Sequence, residues 1–205
     1  MVIVALEGAM ASLRFLGRKM ARILGLAGEG DGRSRRLVAV IDCILNQNVR
    51  DAGAARFPAM DWDVVRLCRQ YGVGILQMPC PEIAFLGLQR KRARGQSIRE
   101  ALDTDAGRRC CARIGAEVCD RIEEHVREGH RILAILGGNP ASPGCAVHGG
   151  PMGLLAPSGV LMRELQAELR KRGIEVPFKG MRDHDSTLLA EDLEWLEGVL
   201  SEGVG

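Results

Sequence analysis

Four short apolar runs, each followed by a stretch of helical periodicity, set the fold class of this chain. LVAVID (Leu37 to Asp42), GVGILQM (Gly72 to Met78) and ILAIL (Ile132 to Leu136) are aliphatic, bounded by polar or turn residues and too short for helices. IEVPF (Ile174 to Phe178) is the fourth run, and Pro177, which has no amide donor, predicts an edge strand. Asp61 can cap a helix through Tyr71 whose apolar face is Val64, Val65, Leu67 and Cys68, ended by Gly72. A second helix from about Ala106 to Arg127 carries Cys111, Ile114, Val118 and Ile122 at helical spacing, with Gly129 beyond it. Ser158 is the expected cap of a third, with Val160, Leu161, Leu165 and Leu169 inward and Gly173 at its end. A last helix is expected from about Ser186 to Leu200 with Leu189, Leu193, Leu196 and Leu200 inward. Four β-then-α units predict an α/β fold, a Rossmann-like parallel sheet of about four strands flanked by helices on both faces. Ile44 to Ala59 and the basic segment Cys80 to Asp105 lack clear periodicity and are expected as irregular loops, the second long enough to suggest function.

Three cysteines stand just beyond three of the apolar runs. Cys43 follows the first, Cys80 the second, and Cys145 the third by way of a Gly137-Gly138-Asn139-Pro140 turn. In a parallel sheet all three lie at the carboxyl edge, where open α/β sheets bind ligands. Three convergent thiolates can hold an iron–sulfur cluster with one iron free of a protein ligand, or a zinc ion with a water. The residue pattern alone leaves both open. Cys68 and Cys111 fall on apolar helix faces and read as core, whereas Cys110 and Cys119 are expected to be partly exposed. No C-x-x-C pair occurs, which argues against thioredoxin-type redox chemistry and zinc ribbons.

The seven cysteines are odd in number and follow no secretory signal pattern, which points to a reducing, cytoplasmic compartment. A net charge of +2 and only 3% aromatic residues speak against a dedicated binder of nucleic-acid polymers. Residues 1–36 read as an N-terminal helical extension and a Gly-, Ser- and Arg-rich linker, with charges too frequent for a membrane span. Residues 37–205 form the α/β domain.

The strand-end motifs together resemble those of the 2-thiouracil desulfurase family of iron–sulfur enzymes. That family carries C-L-L-G-x-x-x-R-Y-D-G, and here Cys43-Ile44-Leu45-Asn46 leads to Arg50 and Gly53 at the same offsets, with Asp51 and Ala52 in place of Tyr-Asp. Its C-P-E followed by G-L-P-x-P-R is met by Cys80-Pro81-Glu82 and Gly87-Leu88-Gln89-Arg90-Lys91-Arg92, without the two prolines. Its S-P-S-C-G is met by Ser142-Pro143-Gly144-Cys145-Ala146. The resemblance covers roughly Leu37 to Phe178.

The resemblance implies a [4Fe-4S] cluster held by Cys43, Cys80 and Cys145, with substrate sulfur binding the iron that has no protein ligand. It implies Glu82 as the catalytic acid/base and Ser142 as the catalytic serine. The expected reaction removes sulfur from a small thiolated compound such as a thiouracil-like nucleobase, turning C=S into C=O without net electron transfer. Arg50, Arg92 and Asn139 are candidates to bind substrate. His148, close after Cys145, could be a fourth ligand or a proton carrier but suits an ordinary loop histidine better, and for His184 a capping and ion-pair role suits at least as well as one lining the pocket. The alternative is a cluster- or zinc-binding protein with a Lewis-acid, dehydratase-like reaction or a purely structural or binding role.

Overall fold

A computed structural model describes residues 32–202 of the chain. The extension expected over residues 1–36 falls almost wholly outside the described residues. Strand β1 (Arg36–Ile41) lies second in a four-stranded sheet of order β2-β1-β3-β6, with β2 (Gly74–Met78), β3 (Arg131–Gly137) and β6 (Phe178–Gly180). Every pairing is parallel. Val38, Ala39, Val40 and Ile41 are fully buried, as a central parallel strand covered on both faces requires. At one edge, β2 exposes Gly74 and Gln77 and buries only Leu76 and Met78.

The chain leaves β1 in one direction to form β2, then crosses back over β1 to form β3. Right-handed crossovers therefore put the helices of these two connections on opposite faces. Helix α2 (Trp62–Gln70) packs with α7 (Ser186–Ser201) on one face, and α5 (Asp105–Arg127) packs along α6 (Val160–Lys171) on the other. The Asp61 carboxylate caps α2 as expected, accepting from the Val64 amide at 3.4 Å. In α5 the buried stripe Cys111, Ile114, Val118 and Ile122 follows the helical period, and Gly115 lies between its turns. Gly115 faces the α6 backbone, where a Cβ would stand 3.4 Å from the Leu165 nitrogen, at ordinary contact distance.

Several local expectations are corrected. The segment Cys80 to Asp105 is not structureless: it holds α3 (Pro81–Leu86) and α4 (Ile98–Leu102), the latter closed by a capping box between Ser97 and Glu100. Ile44 to Ala59 is largely irregular, but Cys43 itself sits in a single helical turn, α1 (Asp42–Leu45), followed by a 3-10 turn at Gln47–Val49. Helix α6 is capped by Gly159 and not by Ser158. A Cβ at position 159 would lie 2.3 Å from the Cys145 amide nitrogen, so tertiary contact dictates the glycine there. The Ser158 hydroxyl instead donates to the His148 carbonyl at 3.2 Å. The fourth strand starts at Phe178 and not at Ile174, with only the Pro177 carbonyl joining the ladder before it. It does form the opposite edge of the sheet. Cys68 and Cys111 are core residues as expected, but Cys119 is fully buried and only Cys110 is partly exposed. A short hairpin, β4 (Gly149–Gly150) with β5 (Gly153–Leu154), projects between β3 and α6. Among the described residues no helix is long and apolar enough to cross a membrane.

Candidate functional site

Strand register brings the first two cysteines level. Ile41 pairs with Met78 at the ends of β1 and β2, and Cys43 and Cys80 each follow two residues later. Cys80 is the N-cap residue of α3. Cys145 lies eight residues beyond β3 and returns because the loop folds back on itself. The Gly138 amide donates to the Cys145 carbonyl at 2.9 Å, and the Ala146 amide to the Ser142 carbonyl at 3.2 Å. A Cβ at Gly138 would stand 2.7 Å from the Cys145 sulfur, so the sulfur packs directly on bare backbone. The three loops meet where the strand order reverses between β1 and β3, the crevice in which open α/β sheets place ligands.

These loops enclose a cavity of about 500 Å³ lined by Cys43, Cys80, Cys145, Glu82 and Ser142, with Arg50 and Asn139 among its other walls. The three cysteines are at most 9% exposed, and none of the seven is in a disulfide. Contact with the Cys145 thiol holds Cys43 below the ordinary thiol range, against the effect of burial, and the nearby Arg50 charge acts in the same direction. Cys145 is pushed well above that range as the donor of the same contact and by its burial. Burial raises Cys80 to about 11. Among the described residues, no group of three or more His, Cys, Asp or Glu side chains is gathered tightly enough to hold one metal ion. Cys43, Cys80 and Cys145 are the residues that could hold a larger, many-centred group between them.

Ser142 sits at the centre of the polar contacts. Its hydroxyl lies 3.0 Å from the Cys145 sulfur and donates to Glu82 Oε1 at 3.4 Å. Glu82 is 8% exposed, and Gly144 packs tightly on the residue before it: a Cβ at position 144 would meet Pro81 Cγ at 2.5 Å. Arg50 pairs with Asp183, and the same Nη2 points to the Cys43 sulfur at 3.8 Å. Its Nε is buried without a hydrogen-bond partner. Asn139 donates to Asp183 Oδ1 at 3.4 Å, so one carboxylate from the loop after β6 orients two cavity walls.

Arg92 does not reach the cavity. It is exposed and donates to the carbonyls of Gln96 at 2.7 Å and Arg90 at 2.9 Å. The inward arginine is Arg90, 3% exposed, which lies in the basic segment expected only as an irregular loop. His148 is tied to the Pro140 carbonyl at 3.1 Å and stands outside the cavity, whereas His184 lines it. Gln47 is the other residue that sequence reading misses. Buried under the loop after β1, it donates to the Cys43 carbonyl at 2.7 Å and accepts from the Arg56 amide at 2.9 Å. A glutamine inside an irregular loop carries no local signal of either contact.

Comparison with known proteins adds little about function. The chain is similar to an uncharacterized protein of Methanocaldococcus jannaschii, 27% identical over 158 residues that span 75% of this chain and 92% of that protein. No family model and no solved structure matches the chain.

Proposed function

We propose that this protein is a cytoplasmic [4Fe-4S]-dependent desulfurase that acts on a small thiolated compound of the thiouracil kind. The observation that carries the reading is the meeting of Cys43, Cys80 and Cys145, from three strand ends, at one cavity that also holds Glu82 and Ser142. The donor set suits the group. All three donors are thiols, the soft ligands that iron–sulfur clusters take, and the cavity exceeds the needs of a single ion. Arg50 directs an N–H group at the Cys43 sulfur, where it offsets thiolate charge. The unpartnered Arg50 Nε is one more buried donor beside this sulfur set. Bound there, a cluster with three protein ligands supplies an iron open to a substrate's sulfur.

The chain's own residues supply the proton chemistry. The net change is C=S plus water giving C=O plus hydrogen sulfide, with no electrons gained or lost. Water must give up both of its protons on the way to the carbonyl oxygen, and the departing sulfur must gain two to leave as hydrogen sulfide. Glu82 faces the cavity with Oε1 directed at Ser142, so it can take the first proton and return it. Ser142 lies between Glu82 and Cys145 and can pass that proton across the site. Asn139 and Arg50, both held by Asp183, present donors to a substrate's polar edge. Pro140, Ala141 and Ile98 give apolar contact and limit the entry of water.

The test is anaerobic reconstitution followed by iron analysis and a sulfide-release assay with 2-thiouracil. About four irons per chain are expected, lost when Cys43, Cys80 or Cys145 is changed to Ala. Glu82→Gln is expected to keep its iron and lose sulfide release. One zinc per chain in place of iron, or iron binding indifferent to the three cysteines, would refute the reading.

A further inference from the structure

Arg90 has a backbone that side chains rarely adopt. Its φ is +51°, in the left-handed region, and it is one of only two such non-glycine residues among those described. The turn that imposes this conformation closes with the Arg90 amide donating to Gly87 O at 3.0 Å, and it sends the side chain inward from an otherwise exposed basic loop. There the guanidinium is 2% exposed and uses all three of its nitrogens. Nε donates to Glu82 Oε2 at 3.1 Å, Nη1 to the Leu88 carbonyl at 3.0 Å and Nη2 to the Val49 carbonyl at 2.6 Å. Nη2 also lies 4.0 Å from the Cys80 sulfur. One side chain thus joins the loop after β1, through Val49, to the loop after β2, through Cys80 and Glu82.

This division of labour leaves the two Glu82 oxygens in different positions. Oε2 is held by Arg90 and Oε1 faces Ser142. A free carboxylate on a short helix has two-fold rotational freedom about its terminal bond. A planar guanidinium with a fixed fork removes that freedom in a way a flexible ammonium does not. We propose that Arg90 is the positioning residue of this site: its guanidinium fixes the Glu82 carboxylate with Oε1 turned toward Ser142, and ties that carboxylate to the loop after β1. The proposal rests on the reading of Glu82 as the proton-transferring group. Arg90 itself touches no reacting atom, and its effect is on orientation. Arg92 serves the same device indirectly by donating to the Arg90 carbonyl.

The experiment compares Arg90→Lys and Arg90→Ala with wild type in the reconstituted full chain. Iron content, kcat and KM for sulfide release from 2-thiouracil, and rescue of Arg90→Ala by millimolar guanidinium are measured. Positioning predicts that kcat falls by about 100-fold in both variants, with KM changed by no more than about twofold, because a misplacement of about 1 Å costs that much. Iron content stays at the wild-type level, and guanidinium restores turnover to Arg90→Ala but does not raise that of wild type. Wild-type kcat in Arg90→Lys, or a loss that follows iron content and is indifferent to guanidinium, overturns the proposal.

A second measurement separates this outcome from failure of the functional reading. Urea unfolding of the apoprotein is followed for Arg90→Met, Glu82→Gln and the double variant. A coupling of about tenfold in the folding equilibrium, or about 1.4 kcal/mol, is expected for a direct lock. If wild type releases no sulfide, the desulfurase reading falls. The lock on Glu82 then stands with tenfold coupling and falls with coupling below about twofold.

Discussion

Asp61→Asn should change how the stability of this protein depends on pH. Asp61 is 1% exposed, caps α2 with one carboxylate oxygen and leaves the other buried with no partner. Burial raises its pKa from the ordinary 3.8 to about 6, with the neighbouring Asp63 and Asp183 charges adding to the rise and the Val64 amide opposing it. The sign follows from linkage. The folded state holds this proton more tightly than the unfolded chain, so the group favours folding below pH 4 and that advantage is lost as pH rises through 6. At about 1.4 kcal/mol for each pH unit between the two values, the loss approaches 3 kcal/mol, an upper bound. Asparagine keeps a capping oxygen but cannot ionise, and the cost of its unpaired amide is independent of pH. The difference in unfolding free energy between variant and wild type should therefore shift toward the variant by about 2 to 3 kcal/mol between pH 4 and pH 8. Urea unfolding of the apoprotein across that range measures it. A difference that stays flat to within about 0.5 kcal/mol would refute the assignment of Asp61 as a buried, penalised acid. The site feels the outcome because the Asp61 amide, donating to the Ile44 carbonyl at 2.8 Å, closes the loop that carries Arg50 and Arg56.

Three further outcomes follow from the same geometry. Gln47→Leu strips partners from the Cys43 carbonyl and the Arg56 amide; it should cost about 2 kcal/mol in urea unfolding and speed hydrogen exchange at Arg56, and unchanged exchange would contradict its role. Asp183→Asn leaves the Arg50 charge buried without its partner, since the two side chains are 3% and 7% exposed; a loss of about 3 kcal/mol is expected, and a loss below about 1 would mean that the pair is effectively solvated. Gly138→Ala puts a methyl 2.7 Å from the Cys145 sulfur and should cost about 1 to 3 kcal/mol, with iron loading reduced while far-ultraviolet circular dichroism is kept; full loading would show that the sulfur has room to move.

Much of the fold is local and was therefore legible. Val38 to Ile41 and Leu133 to Leu136 are unbroken aliphatic runs because both faces of a central parallel strand are covered, and that pattern needs no knowledge of neighbours. The helices α2, α5 and α7 begin and end close to where the Asp61, Gly129 and Ser186 signals put them. Boundaries failed where a distant segment decided them. Ser158 is the better capping residue by type, yet Gly159 caps α6 because the Gly144–Cys145 backbone leaves no room for a Cβ.

Residue order alone determined that three cysteines, a glutamate and a serine each stand just beyond a strand-like apolar run, because strand and helix periodicity are written in neighbouring residues. Tertiary structure decided which of them meet and how they are held. Cys43 and Cys80 are level because Ile41 pairs with Met78, and Cys145 joins them only through a loop that folds back onto Gly138. The inward arginine is Arg90 and not Arg92, since a left-handed turn aims it at the Val49 carbonyl and the Glu82 carboxylate, supplied by two other segments. Arg50 finds its counter-charge 133 residues away in Asp183. Such choices depend on burial and on partners remote in the chain, and the energy of pairing a buried charge is fixed only once the fold has brought those partners together.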